Sequence, residues 1–167
     1  MKLKVILFFI GLLTTSNVSP DLATIRKMYR EASNSEEITK KLYDGLTSIR
    51  KNDEATLVAY KGAVTTLMAR YAEDIKNKKI FFKEGKELLE YSVTNEPKNA
   101  EIRCIRLSVQ ENAPKITGYR KNIEEDKRFI LDNYALMTNE AAKNFIKGYA
   151  SQSDTFDASE KQLLQGG

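Results

Sequence analysis

Arg103, Arg106 and Gln110 are spaced three and four residues apart, so a helix through them carries two guanidiniums and a carboxamide along one side. Guanidiniums a turn apart suit a peptide's carboxylate or backbone carbonyls, held by charge-assisted hydrogen bonds. The same arginines could instead be occupied by Glu side chains of neighbouring helices. Tyr119-Arg120-Lys121 is a second basic patch. Glu84, Glu87 and Glu90 share one helical face beside Lys83 and Lys86, and Glu124-Glu125-Asp126 is an acidic run. Glycoside hydrolysis needs two carboxyls of different ionisation held across a cleft. These groups read instead as solvated faces, with Glu124 and Arg128 an ordinary i,i+4 pair.

Absent residues narrow the chemistry further. The chain has no His, which excludes Ser-His-Asp and Cys-His nucleophiles, H-E-x-x-H zinc sites and Glu-x-x-His di-iron sites. Its one Cys, Cys104, excludes an internal disulfide and a C-x-x-C pair. Cys104 is expected to be a buried, inert thiol, with an intermolecular disulfide as the sharper alternative. Glycine-rich phosphate loops, a G-x-S-x-G elbow and a calcium loop are all missing from the sequence. No catalytic residue, metal or cofactor is expected.

The elements that position these residues begin after an address. Met1-Lys2-Leu3-Lys4 is basic, Val5 to Leu13 is an unbroken apolar run, and Thr14 to Ser19 is small and polar. That order is the secretory signal pattern, and the run is too short to be a membrane anchor. Cleavage after Ser16 is expected, giving a leader at 1–16 and an exported protein, periplasmic or extracellular, with no membrane span. Losing Lys2 and Lys4 takes the formal net charge from +4 to +2, which does not call for a nucleic-acid partner. The 167 residues fit one domain able to bury a single core.

Beyond the leader the pattern is helical throughout, with about six to seven helices over 20–150 and no strand. Ser19-Pro20-Asp21 opens the first helix, and Asn34 with Glu37 resembles a capping box for the second. A long third helix, about 54–76, carries a large apolar stripe (Leu57, Tyr60, Val64, Leu67, Met68, Tyr71, Ile75). Opposite lie the small residues Ala55, Ala59, Gly62, Thr66 and Ala69, which would let a second helix approach closely, and this helix is expected to be central. A fourth spans about 79–94, a fifth 100–112, a sixth holds Ile123, Ile130, Leu131 and Tyr134, and a seventh starts near Thr138 or Asn139. From Ser151 the composition predicts a flexible tail, 151–167.

Phe82, Gly85, Leu89, Ser92 and Pro97, followed by Asn99-Ala100-Glu101-Ile102-Arg103, resemble the second helix of a tetratricopeptide repeat and the opening of the next. The likeness covers about 82–106, and the preceding helix has Ala69, Ala72 and Glu73 at positions that depart from the repeat pattern. It implies antiparallel helical hairpins whose concave face would display Arg103, Arg106 and Gln110. The chain also resembles small exported helical proteins of bacteria. The combined expectation is an exported all-α domain, tetratricopeptide-like or an irregular bundle, that binds a protein or peptide in the bacterial envelope without catalysis. Its expected contacts are Arg103, Arg106, Gln110, Tyr119, Arg120 and Lys121. A structural or self-associating envelope protein is the alternative, and a carboxylate-dependent hydrolase of envelope polymers is a further one.

Overall fold

A computed structural model of the chain describes residues 20–166. The leader at 1–16 lies outside the described residues. Among the described residues eight α-helices follow one another: α1 Leu22–Ala32, α2 Glu36–Gly45, α3 Ala55–Tyr71, α4 Ile75–Asn95, α5 Ala100–Asn112, α6 Ile123–Tyr134, α7 Glu140–Gln152 and α8 Ala158–Gln165. A single 3₁₀ turn, Lys115–Thr117, separates α5 from α6. No strand occurs among the described residues, and the fold is all-α as the periodicity predicts.

Short polar side chains set most helix starts by accepting amides that have no partner in the first turn. Asp21 accepts from Thr24 N at 3.0 Å and Asn139 from Ala142 N at 3.1 Å. Asn99 accepts from both Glu101 N and Ile102 N, which fixes α5 at the expected residue. Three starts differ from expectation. Asp21, rather than Ser19, caps α1, and Ser35, one residue after Asn34, caps α2. The third helix does not reach Ile75. Ala72 turns extended and Asp74 caps a new helix by accepting from Asn77 N at 2.8 Å, so Ile75 opens α4 and stands 71% exposed.

The expected tail also differs. Asp157 and Glu160 form a reciprocal capping box that opens α8, and Phe156 and Leu164 are buried on the core. Its Ser- and Gln-rich composition hid two anchoring side chains whose burial depends on residues far away in sequence. Among the described residues α1 to α7 make up the six to seven helices expected, and α8 is an eighth in place of the expected tail.

Consecutive helices pack in pairs, α1 with α2, α3 with α4, α5 with α6 and α7 with α8. The odd-numbered helices also touch in succession, and α7 returns to α1. The α3–α4 pair is the closest. An added Cβ on Gly62 would stand 2.8 Å from the Gly85 carbonyl oxygen, and one on Gly85 would stand 2.7 Å from the Thr66 amide. The small face of α3 therefore does what its composition predicts, and Ala55, Ala59, Gly62 and Thr66 are buried while Leu57, Leu67, Met68 and Tyr71 are only half-buried. The centre is shared with α5, where Glu101, Arg106, Ser108 and Gln110 are buried alongside Ile102, Cys104, Ile105 and Leu107. Buried polar groups demand partners, and no fully buried side-chain polar atom among the described residues lacks one.

Candidate functional site

The stripe on α5 faces α6 rather than a groove. Arg106 is 4% exposed, and its Nε and Nη2 donate to the two carboxylate oxygens of Asp126, each at 2.7 Å. Its Nη1 donates to Glu90 at 3.1 Å. Arg103 donates to the Pro97 carbonyl, to Glu125 and to Asp126, each at 2.8 Å, and its guanidinium lies 4.4 Å from the Phe129 ring centre. Gln110 is fully buried and exchanges hydrogen bonds with Asn122. The partners run antiparallel: Gln110 with Asn122, Arg106 with Asp126, Arg103 with Phe129. The stripe binds α5 to α6, and the expectation that Arg103, Arg106 and Gln110 meet an outside partner is corrected accordingly.

Electrostatics agree with that assignment. Burial disfavours the Arg106 cation, but its hydrogen bonds and attraction to Asp126 outweigh this and raise its pKa. Glu125 is held below the usual carboxylate range by hydrogen bonds from Arg103 and Asn122. Asp126 sits at the buried middle of the cluster, satisfied by both arginines.

Tyr119 departs from the other two members of its patch. It is 2% exposed, its hydroxyl donates to Glu90 at 2.6 Å, and burial pushes its pKa upward. Phe82 meets its ring edge-on with centres 5.9 Å apart, and Lys86 lies 5.4 Å from the ring centre. Tyr119 thus anchors a turn, while Arg120 and Lys121 remain exposed. The turn is internally braced. Thr117 N donates to the Pro114 carbonyl at 2.9 Å, Gly118 N to the Lys115 carbonyl at 3.1 Å and Tyr119 N to Thr117 Oγ1 at 3.3 Å. Gly118 has φ +63°, a left-handed conformation that glycine adopts at least cost. On this braced turn Ile116 is 96% exposed, with Lys115 exposed beside it. An isolated exposed apolar side chain is ordinary on a surface, and this one stands on a hydrogen-bonded turn that also bears the exposed Arg120 and Lys121. Ile116 carries no signal in the sequence, because a single apolar residue in a loop has no periodicity.

Two further polar constellations join helices distant in sequence. Arg26 of α1 donates Nε and Nη2 to the two oxygens of Glu101 of α5, both at 2.7 Å, and Tyr60 of α3 adds its hydroxyl at 2.8 Å. All three are buried, next to a cleft of about 200 Å³ between α1 and α7 lined by Arg26, Arg30, Asn144 and Phe145. Glu111 receives five donors from the end of α7 and the connection to α8: Tyr149 Oη, Ser153 Oγ, Asp154 N, Thr155 N and Thr155 Oγ1. These clusters join residues from 38 to 75 positions apart, so no local motif announces them. Among the described residues no group of His, Cys, Asp and Glu is arranged to hold a metal ion, and no helix is long and apolar enough to cross a membrane.

Comparison with protein-family models, with curated proteins and with solved structures finds no match to this chain.

Proposed function

We propose that this chain is an exported, non-catalytic helical protein that binds a protein or peptide partner in the bacterial envelope, and that its contact is the turn Pro114–Lys121 rather than the α5 stripe. The observation that carries this reading is Ile116, 96% exposed on a braced turn whose Lys115, Arg120 and Lys121 are exposed as well. A side chain presented on a fixed backbone loses little conformational freedom on docking. Three cations suit a partner whose apolar pocket is rimmed by carboxylates, which steers encounter and fixes orientation. Export is supported by the basic start and the apolar run Val5–Leu13.

A photo-crosslinking amino acid at position 116, introduced in the native host, tests the reading. The expected result is one heterologous adduct that disappears when Arg120 and Lys121 are both changed to Glu, on a chain whose N-terminus lies near Asn17. An adduct to a second copy would replace partner binding by self-association. An adduct indifferent to the charge reversal, or none, would remove the turn as the contact. Recovery of the Met1 form in the cytoplasm would remove export.

A further inference from the structure

The first half of α4 is strongly basic and exposed. Ile75-Lys76-Asn77-Lys78-Lys79-Ile80-Phe81-Phe82-Lys83 holds four lysines and no acid in nine residues. At roughly 100° per residue, Ile75, Lys79, Lys83, Lys76 and Ile80 follow one another around an arc of about 140°. Gly85 and Ser92, which are buried, lie on the far side of the helix, while the buried Leu89 and Val93 fall near the Ile75 edge of the arc but several turns further along. The outer face therefore carries three lysines bordered by two isoleucines, with Ile75 71% and Ile80 40% exposed. Every residue from 73 to 80 is exposed. Lys83 has one ion pair, with Glu87 at 3.9 Å, and among the described residues Lys76 and Lys79 have none. Asp74, which caps the helix, is engaged by Asn77 N and Nδ2, and the acids of α4 itself begin only at Glu84, after the lysine-rich stretch.

We propose that this outer face of α4 is a peripheral docking surface for a membrane of anionic phospholipid, the isoleucines entering between headgroups and the lysines meeting their phosphates. A cationic face attracts anionic lipid, and long lysine stems let the ammonium stay at the interface while apolar neighbours sink. The face is the outside of a single helix with no groove, which fits a broad, deformable surface better than a shaped pocket. The isoleucines distinguish it from a purely electrostatic patch for acidic protein. This inference goes beyond the partner contact at Ile116 and uses different residues, so either can fail without the other.

The sequence contains no tryptophan, so Ile80→Trp in the full chain gives a signal from position 80 alone. The expected result is a blue shift on phosphatidylcholine vesicles containing phosphatidylglycerol and none on phosphatidylcholine alone. Adding Lys76→Gln, Lys79→Gln and Lys83→Gln should raise the lipid needed for half the shift about a hundredfold, about fivefold for each lysine. These lysines are solvent-facing, so helicity by circular dichroism should be unchanged. Raising salt on the unaltered lysines, which screens the same attraction, should reverse the shift and needs no further variant. No shift, an equal shift on neutral vesicles, or a shift insensitive to both the lysines and salt would overturn the proposal. A shift of the same size with soluble polyglutamate would assign the face to an acidic macromolecule instead.

Discussion

Asp126 accepts both the Nε and the Nη2 donors of Arg106 at 2.7 Å, in a fork-to-fork arrangement with its side chain wholly buried. Arg103 reaches the same carboxylate at 2.8 Å. Removing one member of a buried pair leaves its partner uncompensated, at a cost of about 3–5 kcal/mol. Asp126→Ala should therefore lower the melting temperature by roughly 6–20 °C for a domain of this size. The double variant Arg103→Ala, Arg106→Ala should also melt far below the parent. Thermal unfolding followed by circular dichroism checks both, and an unchanged melting temperature would mean the cluster does not hold α5 to α6.

The α3–α4 crossing makes a prediction whose sign is informative. Replacing a glycine by alanine inside an exposed helix normally stabilises by roughly 0.5–1 kcal/mol. At Gly85 the new Cβ would stand 2.7 Å from the Thr66 amide, and at Gly62 it would stand 2.8 Å from the Gly85 carbonyl and 3.0 Å from Leu88 Cβ. Two backbones would have to separate, so Gly85→Ala and Gly62→Ala should each destabilise by about 1–3 kcal/mol. In urea the midpoint should fall with an unchanged slope. A raised midpoint for either variant would show that the helices are not in backbone contact.

Helix existence was readable because it depends on local spacing. The bounds of α5 are set by Asn99 and by Pro114 just beyond its end, and both signals lie within a few residues of what they control. The small face of α3 was readable for the same reason, since Gly62 and Thr66 share a side whatever packs there. The end of α3 was not, because Ile75 continues its apolar stripe perfectly, and only the competing cap at Asp74 breaks it. The surroundings of the candidate residues were less legible than the helices. Arg120 and Lys121 are exposed as expected, but the inward direction of Arg103 and Arg106 depends on Asp126 arriving from the next helix. Their i,i+3 spacing is identical whether the carboxylate they meet belongs to a ligand or to α6.

Cys104 is fully buried on α5, and burial raises its thiol well above the ordinary value. The thiolate is the reactive form, so the folded protein should resist a thiol reagent such as DTNB at neutral pH. Labelling should become complete in denaturant. Under native conditions its rate should follow the opening equilibrium rather than the reagent's intrinsic chemistry. Rapid stoichiometric labelling of folded protein would mean that α5 is accessible, and would restore an intermolecular disulfide as a role for this residue.

Glu111 gives the fold an acid-sensitive clasp. Burial alone would push its carboxyl up, but hydrogen bonds from Tyr149, Ser153 and Thr155 outweigh it and leave the pKa below the ordinary 4.5. A carboxyl depressed in the folded state contributes stability that is present above its unfolded value. That contribution is lost as the pH falls through the folded value. Stability should therefore decline as the pH drops below about 4.5, with the connection to α8 loosening as Glu111 takes up a proton. Glu111→Gln keeps an acceptor oxygen but cannot be protonated, so it should start from a lower stability at about pH 7 and lose less on the way to about pH 3. Urea unfolding of both proteins at the two pH values checks this. Because Glu125 and Asp157 are depressed as well, the variant should keep part of the acid dependence. Parallel losses in parent and variant would show that Glu111 is not ionised in the fold, and that the five donors around it hold a neutral group.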